Sequence, residues 1–165
     1  MQEVTIRLRF TSPCLGRKPT KNKLGQTYYK LPRDGDDRVI FLLSWWNDCM
    51  QFAANLRNRN QKVVRQIVWD QVIDGNIKLF KRQVADNRKR KRRGFAVHEA
   101  FASGDVIGVR AVLPTGLSLE DCADLLVLIG KYRGISWFQS DDVRYGTFEL
   151  ESITPTRGAK TQGDG

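Results

Sequence analysis

The chain reads as an α+β domain in which two amphipathic helices cover an antiparallel sheet, and three observations predict it. Val4-Thr-Ile-Arg-Leu-Arg-Phe10 alternates apolar and polar residues without a break. Two segments, Arg38 to Leu56 and Ser118 to Ile129, place apolar residues at helical spacing. Alternation then returns in Gly146-Thr-Phe-Glu-Leu-Glu-Ser-Ile153. Period 2 marks a strand with one buried face and period 3.6 marks a helix. At 165 residues with a 41% hydrophobic share, the chain suits one domain with a sizeable core, taken as 1–153, followed by a Pro-, Gly- and Thr-rich flexible tail at 154–165.

The first strand points Val4, Ile6, Leu8 and Phe10 one way and Thr5, Arg7 and Arg9 the other. Thr11 to Arg38 follows as a long Pro-, Gly- and Lys-rich stretch with no periodicity. A connection of that length is functional or disordered. Its Lys18, Lys21 and Lys23 and its Tyr28-Tyr29 pair suit an arm lying over phosphates, and a solvated loop is the equal alternative. In the helix predicted over Arg38 to Leu56, Leu42, Trp45, Cys49, Phe52 and Leu56 form the apolar stripe, with Asp36 and Asp37 placed to favour its N-terminus. Trp45 and Trp46 share that stripe and read as core.

Val63 to Ile73 and Asn76 to Val84 read as two strands joined by a turn at Asp74-Gly75, with a short helix over 63–72 as the alternative. The run Arg88-Lys89-Arg90-Lys91-Arg92-Arg93 comes next; six adjacent cations repel and stay outside a core. Gly94 to Phe101 and Val106 to Leu113 read as a second hairpin through Ala102-Ser-Gly-Asp105. Ser118 and Asp121 supply a capping-box-like helix start, Cys122, Leu125, Leu126 and Ile129 fall on one face, and Gly130 is placed as the helix C-cap. Without the basic insertions at 11–38 and 85–94, the order is β–α–β–β–α–β, the ferredoxin-like (RRM-like) arrangement with two helices on an antiparallel sheet.

Charge then narrows the partner. With 28 Lys and Arg against 18 Asp and Glu, the net charge is +10, and such a field favours a polyanion. The segment from Gly130 to Glu149 interleaves three glycines with Tyr132, Trp137, Phe138 and Tyr145 and with Lys131, Arg133 and Arg144. Aromatic faces beside cations are what single-stranded nucleic acid needs for stacking and phosphate pairing. The expected RNA contacts are Arg7, Arg9, Lys18, Lys21, Lys23, Arg88 to Arg93, Lys131, Arg133, Gly134, Trp137 and Arg144.

Chemistry is weakly signalled. His98 is the only histidine, and as a nuclease base it would need Lys131 or Tyr132 brought beside it; a structural role is the stronger reading. Asp141-Asp142 reads as a turn rather than a metal pair. Cys14, Cys49 and Cys122 are widely spaced and read as reduced, buried thiols, so neither a metal nor any other cofactor is expected. No apolar run approaches the roughly 20 residues that cross a bilayer, and the N-terminus alternates as a strand, so no membrane partner is expected and the cytoplasm is the expected location.

One resemblance follows from these residues. The helix, glycine-rich loop and strand from Leu125 to Ile153, with the opening Phe10-Thr-Ser-Pro-Cys-Leu-Gly16, resemble the RAMP superfamily of CRISPR-associated RNA-binding proteins. The resemblance implies a ferredoxin-like fold, loop glycines at Gly130, Gly134 and Gly146, and a place in an antiviral ribonucleoprotein. Members line a guide RNA, cap its end or cleave its precursor, so the implied partners are a guide or other single-stranded RNA, a target nucleic acid, and protein subunits or further copies of the chain. The chain is short for a full backbone or processing subunit, which points to a minimal or phage-encoded relative. An endoribonuclease using His98 and a non-catalytic phage-borne interaction protein are the alternatives to a plain RNA-binding subunit.

Overall fold

A computed structural model of the protein describes residues 1–84, 94–140 and 142–156. The fold is α+β. One sheet contains β1 (Gln2–Phe10), β5 (Val68–Trp69), β8 (Val106–Leu113) and β9 (Phe148–Pro155) in the order β5-β8-β1-β9, all antiparallel. Helices α1 (Leu43–Leu56) and α3 (Leu119–Tyr132) pack on one of its faces. A second sheet is built from segments inserted between those elements: β2 (Cys14–Leu15), β3 (Lys18–Lys21) and β4 (Thr27–Lys30) before α1, and β6 (Lys78–Val84) and β7 (Gly94–Phe101) between β5 and β8. A single helical turn, α2 (Gln61–Val64), links α1 to β5.

The core follows from the alternation in β1. Val4, Ile6, Leu8 and Phe10 are buried on the helix side, together with Ile107, Val109, Ala111 and Leu113 of β8. Trp46, Cys49, Met50 and Ala53 of α1 and Cys122, Leu125, Leu126 and Ile129 of α3 close on them from above. Trp46 lies flat against Trp69 at 4.1 Å, and Phe41 packs on both Trp46 and Trp137 at 4.5 and 4.6 Å. All three cysteines are free and buried, as read from their spacing. Burial pushes the Cys49 and Cys122 thiols up to about 12, so they remain protonated and behave as small apolar groups.

Several local expectations are corrected. The helix starts at Leu43 rather than Arg38, because Asp34 draws the preceding chain into a turn: its carboxylate accepts from the amides of Asp36 and Arg38 and from Arg38 Nε. Asp36 and Asp37 belong to that turn, and Leu42 begins the helix without a side-chain cap. Thr11 to Arg38 is no bare loop, since β3 and β4 form a hairpin closed by Asn22, whose Oδ1 accepts from the amides of Leu24 and Gln26.

Neither predicted central hairpin forms. Asp74-Gly75 is not a turn, because Asp74 exchanges two backbone hydrogen bonds with Gly108 (3.0 and 2.7 Å) and the chain crosses there from one sheet to the other. Trp69 therefore pairs with β8, while β6 pairs with β7. At Ala102 to Asp105 the end of β1 acts as a wedge: Gly104 N donates to Phe10 O and Phe10 N to Asp105 O, so β7 and β8 diverge into different sheets.

Helix α3 carries the expected capping box, with Ser118 and Asp121 bonding reciprocally. Its end is displaced. Gly130 lies inside the helix, pressed against Phe148, and the helix continues to Tyr132. The left-handed residue that stops it is Gly134 (φ +77°), whose amide donates back to Ile129 O at 2.7 Å. A Cβ at Gly134 would also overlap the Tyr145 carbonyl. Gly134→Ala is thus expected to cost at least about 2 kcal/mol, from the left-handed conformation and overpacking together. Urea unfolding of that variant measures the cost, and an unchanged midpoint contradicts the assignment.

Among the described residues no helix is long and apolar enough to cross a membrane.

Candidate nucleic-acid interface

The segment from Arg133 to Thr147 leaves α3, touches the second sheet and returns as β9 of the first. Ile135 N donates to Gly146 O (3.0 Å), closing the base of the loop. Gly146 (φ +73°) fits its backbone against Ser136 where any side chain would collide. Gly146 N donates to Pro13 O (2.7 Å), Leu15 N to Ser136 Oγ (2.8 Å), and Ser136 Oγ to Phe138 O (2.7 Å). Gln139 spans the outer part, accepting from Tyr145 N and donating to Tyr145 O. These bonds close the base, and the tip bearing Asp142, Val143 and Arg144 is exposed.

Arg133 fastens this loop to α1. Its guanidinium lies over the Trp45 ring at 4.5 Å and donates to Cys49 Sγ (2.8 Å) and Gly134 O (3.1 Å), while Trp45 Nε1 donates to Ile135 O. Arg133 is half-buried and Gly134 buried, so within the loop both hold backbone in place.

On one side of the loop, Trp137 shares a cavity of about 240 Å³ with Arg17, Lys18, Lys30 and Pro32. Lys18 and Lys30 are direct cross-strand partners in the β3–β4 hairpin. Like charges set opposite each other destabilise a sheet. On the other side, Tyr132, Arg133, Gln139 and Arg144 line a cleft of about 470 Å³, with Lys131 Nζ 5.2 Å from the Tyr132 ring centre. Asp142 is the one acidic residue in that lining among the described residues. Lys21 and Lys23 are exposed farther along the hairpin.

The ion pairs of the described residues lie elsewhere. Arg57 meets Asp124, Arg59 meets Asp121, Arg38 meets Asp34, Arg33 meets Glu99 and Arg9 meets Glu151. None involves Arg17, Lys18, Lys30, Lys131, Arg133 or Arg144.

Arg7 and Arg9 point to the helix-free face of the first sheet, as their alternation requires, but that face is mixed in charge. Arg7 and Arg110 border a cleft of about 710 Å³ that also holds Asp37, Asp70 and Asp74. Arg88 to Arg93 lie outside the described residues; β6 ends and β7 begins at the paired Val84 and Gly94. Sequence reasoning left Arg17 and Lys30 out of the site. The signal for them was the Asn22 to Gly25 turn, whose closure sets Lys30 against Lys18 and brings Arg17 beside both.

His98 is fully buried in β7. Its Nδ1 lies 2.7 Å from Gly16 O, which can only accept, so Nδ1 carries the proton. Nε2 then accepts from Arg82 Nε at 3.2 Å. Tyr29 stacks on the ring and Phe138 packs beside it, with Arg82 4.2 Å above the Phe138 ring. Burial, reinforced by the Arg82 charge, holds the imidazole below its ordinary pKa against the opposing Gly16 bond. Neither Lys131 nor Tyr132 hydrogen-bonds or stacks with it. The arrangement makes His98 a neutral pillar between the second sheet and the loop. Among the described residues no group of three or more His, Cys, Asp or Glu side chains could hold a metal ion.

No protein-family model and no curated protein matches the chain. Solved structures do. A chain of the cryo-EM structure of the Type III-B Cmr-beta bound to cognate target RNA superposes with a TM-score of 0.58 at 10% identity, over 93% of this chain. The protein spans 60% of that chain's length, and at this identity the likeness is one of fold.

The His98 geometry predicts a pH dependence. The unfolded imidazole titrates near 6.5, above the folded one, so the unfolded chain binds the extra proton and stability falls as pH drops through about 6.5. Thermal melts between about pH 7.5 and pH 5.5 should show that loss in the native protein and a smaller one in His98→Gln. An identical loss in both contradicts the assignment.

Proposed function

We propose that the protein binds single-stranded RNA along the glycine-loop face, as an RNA-holding subunit of a ribonucleoprotein related to the RAMP proteins. The observation that carries this is the group Arg17, Lys18 and Lys30 around Trp137, which makes no ion pair among the described residues, with Lys18 and Lys30 held directly opposite each other. A fold gains nothing from that pairing in the absence of an anion. A phosphate between the lysines turns repulsion into attraction, and the neighbouring aromatic offers a face to a base. Tyr132 and Arg144 repeat the combination on the other side of the loop.

The fold reading that accompanies this is ferredoxin-like. It is supported by the order β9-β1-β8-β5, with α1 leading from β1 towards β5 and α3 leading from β8 to β9. Under the same reading residues 1–153 act as one domain whose insertions supply the second sheet. The likeness to a chain from an RNA-bound multi-protein assembly supports RNA and protein subunits as partners. A nuclease role for His98 is the weaker reading, since the ring is buried and both nitrogens are engaged.

Filter binding of a labelled oligouridylate across salt concentrations tests the proposal. Converting Arg17, Lys18 and Lys30 to Gln should flatten the log–log salt slope by about 2, at roughly 0.7 per phosphate contact on a single strand. The double variant Lys18→Gln/Lys30→Gln should bind RNA more weakly while its fold is stabilised by up to about 1 kcal/mol, as the cross-strand repulsion is lost. A native protein that binds no RNA at about 0.1 M salt, where screening is moderate, overturns the proposal.

A further inference from the structure

The second sheet has an outer face that this reading leaves unused. Alternation along β6 and β7 turns Phe80, Arg82 and His98 inward, towards Phe138 and Tyr145. It turns Leu79, Lys81, Phe95 and Val97 outward. In β4, Tyr29 stacks inward on His98, which leaves Tyr28 on the outer side. These outward residues line a cleft of about 800 Å³, rimmed by Asn22, Gln26 and Thr27 of the β3–β4 hairpin.

Two properties of this face point to one occupant. Leu79 is 71% and Phe95 67% exposed, a concentration of apolar surface on an open sheet that calls for a partner. Among the described residues no carboxylate lines the cleft. Glu99, the acidic residue of β7 on that side, is consumed by Arg33 Nη2 at 2.7 Å and by Leu31 N at 3.0 Å. Lys81 sits in the cleft, and Lys21 and Lys23 project from the hairpin beside it.

The register orders the groups. Lys81 pairs with Val97 across β6 and β7, and the parallel pairing of Tyr29 with His98 sets Tyr28 level with Val97 on the other flank. Phe95 lies two residues from Val97 on the same strand, which is about 7 Å along it. Two aromatic rings are thus offset along an open sheet, on β4 and β7, with Lys81 on β6 at the far side of β7 from Tyr28.

We propose that this outer face is a base-stacking platform for single-stranded nucleic acid, a second subsite in which Tyr28 and Phe95 each take one base and Lys81, on the β6 flank, takes a phosphate of the same strand. The proposal rests on the reading that the protein binds RNA, and extends it to the opposite side of the second sheet. Lys81 in the cleft, with Lys21 and Lys23 exposed on the adjoining hairpin, favours a polyanion over a neutral apolar partner, and the two rings on a sheet favour bases over an acidic peptide.

Fluorescence anisotropy with a labelled oligouridylate of about 15 nucleotides, long enough for both subsites, tests it. In Tyr28→Ala/Phe95→Ala, both on exposed or half-exposed positions, affinity should fall about tenfold or more while the salt slope is kept, because stacking releases no counterions. The Arg17/Lys18/Lys30→Gln variant should show the reverse, a flattened slope with photo-crosslinking of 5-bromouridine to Tyr28 or Phe95 retained. A double variant with native melting temperature and native affinity overturns the platform, and a weakened glycine-loop variant in the same series leaves the glycine-loop reading standing. Absence of binding by the native protein removes both. Self-association in sedimentation that the double variant loses, with RNA affinity unchanged, assigns the face to a second copy instead.

Discussion

The structure depends on backbone meeting backbone at the base of the glycine loop. Gly146 lies against Ser136 with no room for a side chain, Ile135 bonds to Gly146, and Ser136 clips onto Leu15 of β2. These few contacts join the helix-covered sheet to the sheet made of inserted segments. Arg133, stacked on Trp45 and bonded to Cys49, ties the same point to α1. His98 props it from the far side through Phe138. A loop held so firmly at its base can present cations at its flanks in a fixed geometry, which favours binding because less conformational freedom is lost when a ligand arrives.

Charge placement is the second organising fact. Arg57 and Arg59 after α1 and Arg38 at the Asp34 turn are neutralised by partners within the fold. The cations around Trp137 and Tyr132 make no ion pair among the described residues, and two of them, Lys18 and Lys30, oppose each other across a hairpin. Like charges set opposite each other cost the sheet stability, and a polyanionic ligand removes that cost. The helix-free face of the first sheet, where Arg7 and Arg110 meet Asp37, Asp70 and Asp74, lacks that bias.

Much of this was legible in the sequence where structure is local. Strict alternation revealed β1, the capping box revealed the start of α3, and the shared apolar stripe placed Trp46 in the core. Pairing was less legible because it is decided at long range. β7 and β8 look like a hairpin, yet the end of β1 enters between them and sends each to a different sheet. Asp74-Gly75 has the composition of a turn, but its amide and carbonyl are taken by Gly108. The glycines were recognised as a group and misassigned singly: Gly130 fits under Phe148 within the helix, and Gly134 performs the capping. Arg17 and Lys30 joined the site only once the hairpin register was known.

The central claim is that the glycine loop and the β3–β4 hairpin together form the RNA-binding surface. Backbone hydrogen exchange followed by mass spectrometry, with and without a saturating oligouridylate, tests it most directly. The account predicts slowed exchange in residues 131–147 and 17–30 on adding RNA, with α1 and the first half of α3 unchanged. Protection confined to the two helices, or exchange unaltered throughout, would contradict it.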